Sequence, residues 1–119
     1  KNRAMHADYL SFNEDGTIRK VIPTRRGVGL VEARSLIQID RYSAISKEGA
    51  SVSFLNLASP QEGWKITLNE KNAWVQFNRV DFGKKKLKSV NARLASSTGG
   101  LVEIRLDKVD GPLIAKIKI

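Results

Sequence analysis

The strongest constraint on the fold is a strict alternation of apolar and polar residues over the last thirty positions. It occurs in three runs, and the turn pairs Gly99-Gly100 and Asp110-Gly111 separate them. A period of two places each apolar set on one face of a strand, and both pairs suit tight hairpin turns. The pattern predicts an antiparallel meander with one apolar and one charged face. Its apolar members are Val90, Ala92 and Leu94; Val102, Ile104 and Leu106; and Leu113, Ala115, Ile117 and Ile119.

Short strand patterns also fill the rest of the chain. A hairpin is predicted from Tyr9 to Ile22 about the turn at 13–16, and a strand from about Leu36 onward. Residues 31–36 fit the start of an amphipathic helix as well. A strand is predicted from Val75 and Phe77 on to Val80 and Phe82, and its apolar phase slips between Phe77 and Val80 as at a β-bulge. These patterns predict an all-β fold, an antiparallel, jelly-roll-like β-sandwich preceded by a short β-hairpin tail. At 119 residues the chain is long enough for one domain with a buried core.

The composition excludes several kinds of chemistry. With no cysteine and a single histidine, His6, the chain offers no thiol nucleophile and no multi-histidine metal site. Glu103 and Asp107 share a predicted strand face, but four residues of strand separate them by roughly 13 Å. Arg105 lies between them, and we expect a cross-strand charge ladder with Arg93 and Lys116 rather than a pair of catalytic carboxylates. The sequence therefore predicts no catalytic residue.

A net charge of +9 raises the alternative of a basic β-domain that binds polyanions or nucleic acid. The densest cluster of positive charge is 84–86 with Lys88, in a connection between predicted strands. Nucleic-acid surfaces interleave arginine with aromatic residues on one face, whereas the cations here are scattered. We therefore do not favour nucleic acid as a partner. No apolar run is long enough to span a bilayer, so a membrane is not an expected partner either.

Several of these segments together resemble a family 6 carbohydrate-binding module. The most specific segment of this resemblance is 100–107 with 111–114. Residues 9–28 resemble a different protein segment, the closing segment of a family 43 glycoside hydrolase. The other segments with this resemblance are 37–43, Gly63-Trp64, 74–77, 80–83 and 92–95. Family 43 enzymes are five-bladed propellers, and some carry such a module immediately downstream. The resemblance thus implies two parts, a propeller tail with its connector over 1–30 and a carbohydrate-binding β-sandwich over 31–119.

The resemblance also implies a binding site and a metal site. In the family, two aromatic rings and an asparagine hold a sugar, and Trp64 falls where the first ring is usual; a capping position on the core is its alternative. Trp74 corresponds to an interior position. The module usually continues past the position of Ile119, so we expect the second ring, the asparagine and the closing strands to lie beyond it. A structural calcium ion is implied at Gln38 and Asp40, where the family has two acidic residues.

The resemblance implies a non-catalytic module that holds a parent enzyme of the arabinofuranosidase or xylosidase class on plant polysaccharide such as xylan or arabinoxylan. The expected partner is thus a polysaccharide or oligosaccharide. The parent is expected to be secreted, periplasmic or on the cell surface. Because the chain ends within a strand pattern, self-association through an open sheet edge is also predicted. The remaining alternative is a structural fragment without activity of its own.

Overall fold

The computed structural model describes residues 5–119, and these residues form almost only strands, turns and loops. The chain divides into two compact units, the first ending at Lys85 and the second covering Lys86–Ile119. The strands are β1 (Val31–Glu32), β2 (Ala44–Ile45), β3 (Ala50–Phe54), β4 (Trp64–Leu68), β5 (Val75–Gln76), β6 (Val80–Asp81), β7 (Leu101–Arg105) and β8 (Leu113–Lys118), with one 3-10 turn at Pro60–Glu62. The predicted all-β class is confirmed.

In the first unit, the predicted tail hairpin is confirmed. Phe12 and Ile18 form an antiparallel bridge, and the amide of Asn13 donates to the carbonyl of Thr17 at 2.8 Å. The turn between them has Gly16 at φ +82°, and the Thr17 amide and hydroxyl both donate to the Asp15 carboxylate. These hydrogen bonds hold the pKa of Asp15 below its ordinary range. The turn is therefore fixed by contacts within five residues.

Three two-stranded sheets follow in the same unit. The strands β3 and β4 form an antiparallel hairpin, and β2 pairs antiparallel with β5. The strand β1 pairs in parallel with β6, Val31 opposite Val80. The predicted single strand through Phe77 and Val80 is wrong, because Arg79 adopts a left-handed conformation (φ +57°) that separates β5 from β6. The phase slip marks a break between two strands rather than a bulge.

The predicted strand from about Leu36 onward is wrong over 36–43, and only its last part is a strand, in β2. Residues 36–42 contain no strand, and the amide of Arg41 donates to the carbonyl of Gln38 at 3.0 Å, which closes a turn over Ile39 and Asp40. The extended segment lies earlier, at Val31–Glu32, in the stretch that also fitted a helix start.

In the second unit, β7 and β8 form an antiparallel hairpin. Val102 lies opposite Ile117 and Ile104 opposite Ala115, and all four are half-buried, which confirms the predicted apolar face. A register shift beside Arg105 places that residue opposite Leu113, so Leu113 leaves the predicted alternation. The predicted strand at Val90–Leu94 is absent, since residues 88–96 have no strand and are exposed.

The predicted buried core is not found among residues 5–119. No hydrophobic side chain there is buried, and Gly111 is the one buried residue in that range. In a two-stranded sheet the apolar side chains are covered mainly by their neighbours on the same face. The alternating residues therefore reach half-burial and no more. The wide apolar surface includes Leu36, Leu57 and Leu30, each at least 70% exposed.

Candidate functional site

Trp64, the predicted sugar-binding residue, opens β4 at the loop end of the β3–β4 hairpin. It lies opposite Phe54, and the two ring centroids are 4.2 Å apart with the planes tilted by 30°. Gly63 precedes it at φ +108°, a conformation that favours glycine. The amide of Leu55 donates to the carbonyl of Gly63 at 2.8 Å, which closes the loop next to this pair. This geometry leaves the Trp64 side chain 37% exposed.

The loop that leads into Trp64 is held by its own polar groups. The side-chain oxygen of Asn56 accepts from the amide of Ala58 at 3.0 Å. The side-chain amide of Asn56 donates to the Glu62 carboxylate at 3.1 Å. Pro60 begins the 3-10 turn, where its fixed φ fits the first position. One asparagine thus ties both halves of the loop and fixes how the chain enters β4.

A cation completes the surroundings of Trp64. The guanidinium carbon of Arg25 lies 5.6 Å from the Trp64 ring centroid and 5.8 Å from that of Tyr42. Both distances are within the range of cation–π attraction. We refer to Arg25, Tyr42, Phe54 and Trp64 as the Trp64 cluster. The sequence pattern identified Trp64 but missed Arg25 and Tyr42, because no local spacing links a connector arginine to a strand about forty positions later.

Trp74, predicted to be interior, is half-buried and lies outside the Trp64 cluster. Its backbone is held by Ser46, whose hydroxyl accepts from the amide of Trp74 at 3.1 Å. In return the amide of Ser46 donates to the carbonyl of Trp74 at 3.0 Å. These two hydrogen bonds lie next to the β2–β5 pairing and fix the backbone of Trp74 there.

The residues predicted to bind calcium lie in the turn at 38–41 instead of on a strand. Gln38 is exposed and Asp40 is half-buried. Together they carry an amide and a carboxylate, whereas calcium takes six to eight oxygen ligands. Among residues 5–119 no three acidic, histidine or cysteine side chains come together as a metal-binding group. The donor set does not by itself fit a calcium ion, and calcium at these residues stays a prediction.

The tail hairpin is joined to the β5–β6 turn by an aromatic and polar contact. The Tyr9 hydroxyl accepts from the amide of Gly29 at 2.6 Å, and the Arg79 guanidinium lies 4.0 Å over the Tyr9 ring. Arg26 donates to the carbonyl of Asn78 at 3.1 Å. An open depression of about 370 Å³ lies beside these residues, and another of about 240 Å³ beside Leu36, Ile37 and Gln38. Trp64 lines neither of these two depressions.

The carboxylate of Glu103 serves a structural ladder. It accepts from Arg105 at 2.7 Å and lies 3.0 Å from the Lys116 ammonium. Arg105 and then Lys116 hold the pKa of Glu103 below its ordinary range. The predicted contact with Lys116 is confirmed, whereas Arg93 forms no ion pair among the residues that the structure describes. Asp107 lies past the end of β7 with φ +66°.

Comparison with known proteins agrees with this all-β architecture. Residues 43–119 match the carbohydrate binding module (family 6), a family of β-sandwiches. An arabinoxylan arabinofuranohydrolase from Bacillus subtilis (strain 168) is 27% identical over 98% of this chain and 23% of its own length. A second, from Paenibacillus polymyxa, is 25% identical over 98% of this chain and 19% of its own length. The chain spans about a fifth of these relatives, and no solved structure matches it.

Proposed function

This chain belongs to family 6 of the carbohydrate-binding modules, and we propose that it binds a plant polysaccharide such as xylan or arabinoxylan without catalysing a reaction on it. We further propose that its parent is a family 43 type glycoside hydrolase of the arabinofuranosidase or xylosidase class. The match of both arabinoxylan arabinofuranohydrolases to 98% of the chain, connector and tail included, supports this assignment.

The observation that carries the proposal is the partly exposed indole of Trp64 at the loop end of the β3–β4 hairpin. The CH face of a pyranose packs on an aromatic plane, and the indole N–H can donate to a sugar hydroxyl. Phe54 packs against the ring and limits its rotation, so little conformational entropy remains to be lost on binding. Tyr42 offers a second aromatic side chain near the same arginine.

A non-catalytic role is supported by the carboxylates of the second unit. Glu103 is engaged by Arg105 and Lys116, which stabilise its charged form and leave it poorly suited to donate a proton. Hydrolysis by inversion needs an acid and a base held across one glycosidic bond. We therefore assign any hydrolysis to the rest of the parent enzyme.

The test is a titration of the full chain with neutral xylo-oligosaccharides, followed by amide NMR spectra and calorimetry. We expect shifts centred on 54–68 and loss of binding in Trp64→Ala. Phe82→Ala is the matched control, because the Phe82 side chain is 38% exposed, nearly the same as Trp64, and lies outside the cluster. Unchanged spectra of both variants away from the substitution confirm that the fold is kept.

The alternatives have distinct outcomes in the same experiment. Binding to DNA that falls steeply with salt, with no response to any sugar, identifies a polyanion-binding domain instead. Dispersed spectra that ignore every ligand identify a structural fragment and overturn the proposal. Sugar binding that survives Trp64→Ala refutes the assigned site and leaves the function standing.

Three further properties complete the proposal. We propose a secreted, periplasmic or cell-surface location, by analogy with enzymes that act on external polysaccharide; no helix within 5–119 has the length and apolar character to cross a membrane. Self-association through the edge of β8 is tested by sedimentation at several concentrations. Calcium at Gln38 and Asp40 is tested by its effect on the amides of 36–42, with Asp40→Asn as the variant.

A further inference from the structure

The Trp64 cluster contains a cation whose charge no carboxylate of the described chain neutralises. Arg25 is exposed, and its guanidinium carbon lies 5.6 Å from the Trp64 ring centroid and 5.8 Å from that of Tyr42. The ion pairs within residues 5–119 involve Arg105, Lys108 and Lys116, and none involves Arg25. A positive charge therefore stands beside the aromatic plane proposed to bind a sugar.

Two kinds of chemical group fit this arrangement at once. An aromatic face binds the CH surface of a pyranose, and a guanidinium presents paired N–H donors that match the two oxygens of a carboxylate. A uronic acid carries both, since its carboxylate is attached directly to the pyranose ring. With the sugar against Trp64, the carboxylate lies one bond outside the ring and can approach Arg25. A neutral xylose unit has no carboxylate, and its hydroxyl oxygens can accept hydrogen bonds from the guanidinium but cannot neutralise its charge.

The charge of the whole chain favours the same class of ligand. The net charge of +9 has no catalytic or nucleic-acid role in the proposed function. It raises the local concentration of an anionic polysaccharide and speeds its association, but it gives a neutral glycan no advantage. The long-range charge and the local guanidinium thus select ligands of one sign.

We propose that the Trp64 cluster prefers glycan chains substituted with uronic acid over neutral chains, and that Arg25 is the specificity-determining residue. This inference rests on the proposed function, because it places the acidic sugar at the same aromatic plane. Trp64 supplies stacking for either ligand, and Arg25 supplies a charge-assisted contact only to the acidic one.

The experiment compares neutral xylo-oligosaccharides with oligosaccharides of the same length that carry one glucuronic acid, using calorimetry on the full chain. A charge-assisted contact of about 1.5 kcal/mol corresponds to roughly tenfold in affinity, so we expect the acidic ligand to bind about tenfold more tightly. In Arg25→Gln we expect the acidic ligand to lose most of its preference over the neutral ligand. In Arg25→Lys, which keeps the charge but loses the paired N–H donors of the guanidinium, we expect an intermediate preference.

The matched control is Arg19→Gln, which removes the same charge from the same unit. Arg19 is exposed in the tail hairpin, where it contacts Asn13. Retention of the tenfold preference in this control supports a local role for Arg25. An equal loss of preference in both variants means that net charge alone is responsible and overturns the inference.

The remaining outcomes separate the inference from the function on which it rests. Equal binding of acidic and neutral ligands by the unsubstituted chain overturns the inference and leaves the carbohydrate-binding proposal intact. Binding of neither ligand overturns both. An acidic preference that persists in Arg25→Gln assigns the selectivity to another residue and also refutes the inference.

Discussion

Replacing Gly111 by alanine tests the turn on which the β7–β8 hairpin depends. A Cβ atom at this position would overlap the carbonyl oxygen of Leu106 and lie 2.9 Å from that of Lys108. Both are backbone atoms, so no side-chain rotation can relieve the contact. Gly111 also anchors the turn, because its amide donates to the Lys108 carbonyl at 2.9 Å and its carbonyl accepts from Arg105 at 2.8 Å.

The cost follows from these distances. Carbon and oxygen ordinarily approach to about 3.3 Å, so both carbonyls must move away from the new Cβ, that of Leu106 by the larger amount. Overpacking of this kind costs about 1–3 kcal/mol, and each disrupted hydrogen bond adds about 1 kcal/mol. The expected destabilisation of the hairpin is therefore about 3 kcal/mol or more. That corresponds to a rise of at least about a hundredfold in its opening equilibrium.

The assay is amide hydrogen exchange of the full chain, resolved at the residues of β7 and β8. Exchange in these strands should accelerate at least about a hundredfold in Gly111→Ala. Gly100→Ala is the control, because a Cβ at Gly100 meets nothing within 4 Å and the residue lies in the same unit. Protection within about threefold of the unsubstituted chain in Gly111→Ala would refute the reasoning.

Three further predictions concern other turns and contacts. Gly49→Ala should destabilise the β3–β4 hairpin by about 1–3 kcal/mol, measured by urea denaturation with tryptophan fluorescence, because φ is +69° and the new Cβ would clash with the Cβ of Glu70. The contacts that lower the pKa of Glu103 should stabilise the β7–β8 hairpin above the ordinary glutamate pKa of about 4.3, and this stabilisation should be lost as the pH falls below that value. Amide exchange of the hairpin as a function of pH measures the loss, and E103Q should show no such pH dependence. Tyr9→Phe should cost about 1 kcal/mol and speed exchange of the Gly29 amide, whereas unchanged exchange there would contradict the hydrogen bond.

Elements with local determinants were predictable from the sequence. The tail hairpin is specified by a four-residue turn and its flanking apolar residues, and Phe12 does pair with Ile18. The apolar face of β7 follows from alternation alone, and Val102 and Ile104 are half-buried as expected. In both cases the information lies within a dozen residues, which is the range over which periodicity and turn chemistry act.

The failures have a different origin. Residues 36–42 alternate like a strand, but a strand needs a partner, and the turn closed by Gln38 and Arg41 removes the segment from any ladder. The left-handed conformation of Arg79 is unusual for a residue with a side chain, so no sequence pattern predicts the break between β5 and β6. Likewise, the approach of Arg25 to Trp64 depends on tertiary contacts and not on spacing.

The parallel pairing of β1 with β6 has a consequence for the order of assembly. Val31 and Val80 are about fifty positions apart along the chain, whereas Phe54 and Trp64 in the β3–β4 hairpin are only about ten apart. For a flexible chain, closing the longer loop costs about 1.4 kcal/mol more in entropy. Non-local contacts of this kind slow folding because that cost precedes the gain. We expect the tail hairpin and the β3–β4 hairpin of the first unit to form early, and β1 to pair with β6 last.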